Sequence, residues 1–279
     1  MDQNDKLEGK IAAANKSLSP AQSLNAQAKA FFERQKDNLA ALLGSHQEAQ
    51  RLYVAVMYSV SKSPQLVSAD PGSIFTSLMR CAELKLFPGP LGQAAIVPFW
   101  NKKKNCFEAQ FMPQYQGLLD LAYRSGQVVP PTYAEIVWER DLFKFVKGDN
   151  PRIVHEPFAG SDDARGNRVG CYVVLNLRNG NQIRHYMTIE HVMRYQQQSK
   201  TAQAQNANTF WKSDNPDTVD WMIKKTVLKQ ALKLAPKSVD LAAAVDYDNE
   251  VDNPSSDKKP ILDFDFSEQA APEKDGGDK

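Results

Sequence analysis

The chain is short of most of what catalysis needs. It has no G-x-x-x-x-G-K-[ST] segment to cradle a nucleotide triphosphate, no H-E-x-x-H and no G-x-S-x-G, so no ATPase, zinc protease or serine hydrolase is written in it. Histidine is scarce: His46, His155, His185 and His191 lie at spacings that fit structural roles better than metal ligation. The Asp162-Asp163 pair sits in a polar loop, where solvation explains it better than a cation does. The three cysteines, Cys81, Cys106 and Cys171, are far apart and form no C-x-x-C pair, which argues for reduced thiols and against disulfides or zinc. No apolar run approaches the roughly 20 residues of a membrane helix. The first residues, MDQNDKLEGK, lack the apolar core of a signal peptide, so a cytoplasmic location is expected.

What is present is an uneven charge. The 279 residues carry a net +1, yet from Pro236 onward there are 12 acidic residues against 5 lysines. That region is −7, which leaves the first 235 residues at +8. A basic body with an acidic tail is a layout used by nucleic-acid binders, although a solvated basic surface gives the same count.

Periodicity predicts an α+β fold. Residues 1–22 read as a flexible N-terminal arm, 23–245 as a single α+β domain, and 246–279 as a disordered acidic tail. Helical spacing of Leu24, Ala28, Phe31, Phe32 and Leu39 starts a helical N-terminal lobe. Ser45 with Glu48, and Asp70 before Pro71, are start signals for two more helices. Runs at 94–99, 106–112, 130–139, 142–146, 169–177 and 182–188 predict a central antiparallel sheet of about five strands flanked by helices. The Asn179-Gly180 turn is the strongest hairpin signal. A last strong helix spans 216–235, with Lys225, Lys229 and Lys233 at four-residue spacing, an expected solvated face. Trp100, Trp138, Trp211 and Trp221 read as packing residues.

The stretch from Leu86 to Gly126 combines a Pro-Gly loop, two strand-like runs joined by Lys102-Lys103-Lys104, and Gln114-Tyr115-Gln116 at a helix start. Positive charge beside aromatics and amides suits a phosphate backbone and bases. Here a family resemblance enters. Cys81 to Gly89, Gly92-Gln93-Ala94, Val97-Pro98-Phe99, Gln114 to Ala122, Arg124-Ser125-Gly126, Gln198-Ser199-Lys200 and Trp221 to Thr226 together resemble the RecT family of phage single-strand annealing recombinases. One departure is Gln116, where some relatives carry arginine between Tyr and Gly. The resemblance covers about residues 25–240.

The resemblance implies an ATP-independent protein, with no cofactor, that binds single-stranded DNA and anneals complementary strands during recombination. It also implies assembly into rings or helical filaments on DNA, with a phage exonuclease and the host single-strand DNA-binding protein as partners in a bacterial cytoplasm. Lys102, Lys103, Lys104, Arg124, Lys144, Lys200, Lys224 and Lys225 are the expected phosphate contacts, and Tyr115 and Gln116 the expected base or backbone contacts. The alternative is a self-assembling structural protein without annealing activity; an enzyme is not expected.

Overall fold

The chain enters its first helix through a cap. In the computed structural model, which describes residues 19–198, 211, 213–236 and 238–252, Ser19 Oγ accepts from Gln22 N while Gln22 Oε1 accepts from Ser19 N. This reciprocal box starts α1 (Pro20–Leu43) with Pro20 in its first turn. The helix therefore begins before residue 22, where the arm was expected to end. Ser45 and Asp70 cap as their sequence predicts, each accepting from the backbone N–H three residues on. They start α2 (His46–Ser61) and α4 (Pro71–Leu84), with a single turn, α3 (Pro64–Val67), between them. α1 packs on α2 and α4 through its apolar stripe, where Phe31 stacks on Phe75 at 4.3 Å.

The fold is α+β with antiparallel pairing, as expected, but the strands fall into three sheets. β1 (Ala94–Asn101) and β2 (Cys106–Pro113) form a hairpin that leads into α5 (Tyr115–Arg124). β3 (Val128–Trp138), β6 (Arg168–Leu177) and β7 (Gln182–Thr188) form the three-stranded sheet, β6 in the middle. β6 and β7 turn at Asn179-Gly180, where Gly180 takes φ +81°, a left-handed conformation that glycine adopts without strain. β4 (Leu142–Val146) pairs only with β5 (Arg152–Glu156), a strand the sequence reading missed, and makes a separate ribbon. The last helices are α6 (Ile189–Gln198), α7 (Pro216–Leu232) and α8 (Val239–Asp252).

The two faces of the three-stranded sheet are used differently. Cys171, Val173 and Leu175 point to one face and are fully buried; α7 lies across β6 and β7 there. Tyr172 points to the other face, onto which the ribbon docks. Phe143 packs on Tyr172 and Tyr186, and Phe145 on Tyr186, with ring centroids 4.9–5.7 Å apart. A polar hub fixes the ribbon's base. The Asp141 carboxylate accepts from the Arg165 guanidinium (2.7 and 3.1 Å), Trp138 N and Phe158 N, and faces His155 Nε2 at 3.0 Å. Burial alone pushes this carboxyl up, but Arg165, His155 and the backbone donors outweigh it and hold it well below the usual carboxylate range.

One continuous set of buried residues runs from Leu24 in α1 through the sheets to Tyr247 in α8. The expected tail boundary at residue 246 moves accordingly. Tyr247 and Asp248 are buried, and α8 continues to Asp252. Tyr247 donates to Glu83 Oε2 at 2.8 Å, tying α8 to α4. Among the described residues no helix is long and apolar enough to cross a membrane.

Candidate nucleic-acid interface

The hairpin tip is set by Asn101. Its Oδ1 accepts from both Lys103 N (2.9 Å) and Lys104 N (3.2 Å), an Asx turn that closes the β1–β2 connection. Asn105 follows in the left-handed region at φ +51°, which Asn tolerates better than most residues. Lys102, Lys103 and Lys104 are exposed, as their place on the turn predicts. They are not equivalent. Lys104 Nζ sits 2.7 Å from Glu108, and this hydrogen bond raises the lysine's pKa and occupies its charge. Trp100, expected to be packed, stands half exposed beside the turn with one edge on Phe107.

The start of α5 is held by a close backbone approach. Gln114 N donates to Gln93 O at 2.9 Å, and a Cβ on Gly117 would fall 2.1 Å from that same carbonyl. Only glycine fits there. The Gly92-Gln93-Ala94 and Gln114-to-Gly117 blocks are thus two sides of one contact, which aims Tyr115 and Gln116. Gln116 is exposed; Tyr115 is half-buried, and burial pushes its phenol well above the ordinary tyrosine value, so it stays an O–H donor.

Tyr115 meets α7 there. Its ring stands edge-to-face with Trp221 at 5.2 Å, and Trp221 leaves about half of its surface (49%) in solvent. Lys224, one turn along, places its ammonium 5.3 Å from the Trp221 ring centroid and 3.6 Å from Glu135 on β3. Two distant blocks of sequence therefore converge on a surface of two aromatic rings and a cation, while the exposed Gln116 lies against Gly92. This is chemistry for stacking a base, with the Lys224 ammonium shared between the Trp221 ring and Glu135.

The remaining sites are distributed otherwise. Arg124 lies at the far end of α5, where it donates to Leu84 O at 2.7 Å and pairs with Asp120 at 3.1 Å. It closes the C-terminus of α4 while staying about one-third exposed. Lys144 is exposed on the β4–β5 ribbon, away from this convergence. Lys200 lies outside the described residues. Lys225 is a correction: with Lys229 it is buried, and the two ammoniums bind Asp248 of α8 at 2.8 and 2.6 Å. The expected solvated lysine face of α7 is, at these two positions, the bed of α8. Burial pushes the Asp248 carboxyl up, but Lys225 and Lys229 outweigh it and hold it at about 2.

Sequence reasoning missed the exposure of Trp100 and Trp221, since a tryptophan among apolar helix or strand residues reads as core. Trp211 is buried, as expected. Among the described residues there is no group of three or more His, Cys, Asp or Glu placed to hold a metal ion.

The family model of the RecT family matches residues 50–261, a span that contains both converging blocks. The chain belongs to the RecT family. It is 31% identical over 238 residues to Protein RecT of Escherichia coli (strain K12), covering 82% of this chain and 83% of that protein. RecT-family membership makes it a recombination protein of the single-strand annealing, DNA-binding kind. α1 and the first residues of α2 precede the matched span, whereas the hairpin, α5, the ribbon, α7 and α8 all fall within it.

Proposed function

We propose that this protein anneals complementary DNA strands without ATP, assembling as an oligomer, ring or helical filament, along the DNA. The observation that carries the reading is the convergence of Tyr115, Trp221 and Lys224 at the α5–α7 junction. Base stacking on such rings is worth about 1–3 kcal/mol per base and tolerates any sequence, as a protein that must accept any strand requires. The hairpin lysines Lys102 and Lys103, at the far end of the β1–β2 hairpin from α5, neutralise a further stretch of backbone, with Lys104 and Lys144 as weaker contributors and Arg124 positioning α5. The protein need supply no chemical energy. Pairing of complementary bases drives the reaction, so it suffices to hold the strand extended with its bases presented. The absence of a nucleotide-binding motif in the sequence agrees with this. The working partners are single-stranded DNA and its annealed product, a phage exonuclease that exposes the strand, and the host single-strand DNA-binding protein that otherwise covers it, all in a bacterial cytoplasm.

The test is strand pairing followed by fluorescence energy transfer between labelled complementary oligonucleotides, with no ATP and with a chelator present. Annealing faster than spontaneous pairing is expected. Pairing at the spontaneous rate would overturn the proposal, and shortening of the oligonucleotides that stops with chelator would replace it with a nuclease.

A further inference from the structure

The β4–β5 ribbon covers only part of the sheet face on which it docks. Past the Phe143 and Phe145 contacts, a cleft of about 330 Å³ stays open between the ribbon and the sheet. Arg152 enters it from β5, Tyr133 from β3, and Gln182 and Arg184 from β7; His155 and Tyr172 complete its polar lining. The volume falls in the range of small-molecule sites.

The charge in this cleft is one-sided. Two guanidinium groups line it and no carboxylate does. Asp141, behind His155, is already engaged by Arg165, and Glu135, on the same sheet face as Tyr133, is paired with Lys224. Arg184 is oriented from below by a relay of neutral amides: it donates to Gln182 Oε1, Gln182 Nε2 donates to Asn176 Oδ1, and Asn176 Nδ2 donates to Pro131 O. Neither Arg152 nor Arg184 forms an ion pair among the described residues. The relay fixes Arg184's direction while leaving its charge unneutralised, an arrangement suited to an incoming anion.

Tyr133 adds the second half of the chemistry. The β3–β6 ladder breaks between Val129 and Tyr133, where Pro130 and Pro131 supply no N–H, and resumes with Tyr133 half exposed (50%) at the cleft. An aromatic face beside two arginines is a receptacle for a base and its phosphate. The cleft opens on the sheet face opposite α7, and the two surfaces connect only around the β3 edge, where Glu135, two residues or about 7 Å of strand from Tyr133, pairs with Lys224.

We propose that this cleft is a nucleotide subsite for single-stranded DNA, holding a phosphate between Arg152 and Arg184 and a base against Tyr133. The proposal rests on the annealing function and extends it. The nucleotide belongs either to the strand bound first or to the complementary strand that arrives second.

The test is photocrosslinking of the full chain to oligonucleotides carrying 5-bromodeoxyuridine, with adducts located by peptide mass mapping. In one arm the label is in the resident strand, and in the other it is in the complement added afterwards. Adducts on the peptide containing Tyr133 are expected, and the arm in which they form identifies the strand. The double variant Arg152→Ala/Arg184→Ala should lower that adduct about tenfold, the loss expected when charge-assisted contacts are removed, while the Trp221 adduct stays unchanged. Adducts at Trp221 with none at Tyr133 in either arm, or a Tyr133 adduct unaffected by the double variant, overturns the cleft alone. Oligonucleotides that crosslink nowhere overturn the cleft and the annealing function together.

Discussion

Tyr115 and Trp221 meet edge-to-face at 5.2 Å, joining the first turn of α5 to the first turns of α7. Trp221 makes this contact with one edge and leaves about half of its surface in water, a cost the fold has not removed by burying the ring. Trp221→Ala is expected to weaken single-stranded DNA binding by about 1–3 kcal/mol, or roughly 5- to 150-fold in Kd, with Trp221→Phe recovering much of it. Fluorescence anisotropy with an oligo-dT probe measures the loss. An unchanged circular dichroism spectrum would show that the fold is not its source.

The hairpin lysines separate into two kinds. Lys102→Ala with Lys103→Ala should flatten the dependence of log K on log salt by about 1.4, which is two phosphate contacts on a single strand. Lys104→Ala should change it less, because Glu108 already holds that ammonium. Titration across a salt series gives both slopes, and equal effects from all three positions would contradict the Lys104–Glu108 pairing.

Gly117→Ala tests how the motif at the start of α5 is built. The added methyl meets the Gln93 carbonyl, so the helix start must shift away from β1. The expected cost is about 1–3 kcal/mol of stability by urea unfolding, together with weaker DNA binding as Tyr115 and Gln116 move. Stability retained in full would mean that the contact relaxes freely.

Asp248→Asn leaves the Lys225 and Lys229 ammoniums buried without their anion and should cost about 3–5 kcal/mol. The wild type should also show the linkage directly. The Asp248 carboxyl is lowered to about 2 in the folded chain, against an ordinary value near 4 once unfolded. Between those values the unfolded chain binds the extra proton. Stability from this group is therefore full above about pH 4 and is lost as pH falls toward 2. Chemical denaturation along a pH series should show that decline in the wild type, and a shallower one in Asp248→Asn.

Local signals carried much of this fold. Ser45, Asp70 and Asn215 cap helices because a side-chain oxygen within three residues of a free N–H needs no distant help. The Asn179-Gly180 turn is likewise decided locally. The partition into three sheets was not legible, since β4 and β5 satisfy each other and meet the larger sheet only through side chains. Lys225 shows the limit most clearly. Four-residue spacing puts Lys225 and Lys229 on one stripe, but which stripe is buried depends on Asp248, a carboxylate within a stretch whose composition reads as tail. A motif block singled out Tyr115 and Gln116; Trp221 lay in a block too, but its apolar neighbours hid its exposure. The arginines of the cleft sit on alternating strands with no motif of their own, and only the docked ribbon brings them together.

The grip of α8 sets where this chain can be cut. A truncation placed at residue 245, where the acidic composition begins to dominate, would remove Tyr247 and Asp248 and strip the cover from Lys225, Lys229 and Glu83. A shortened chain intended for crystallisation or fusion should therefore end at Asp252 or later. The useful boundary is drawn by a carboxylate's two partners and not by the run of acidic letters around it.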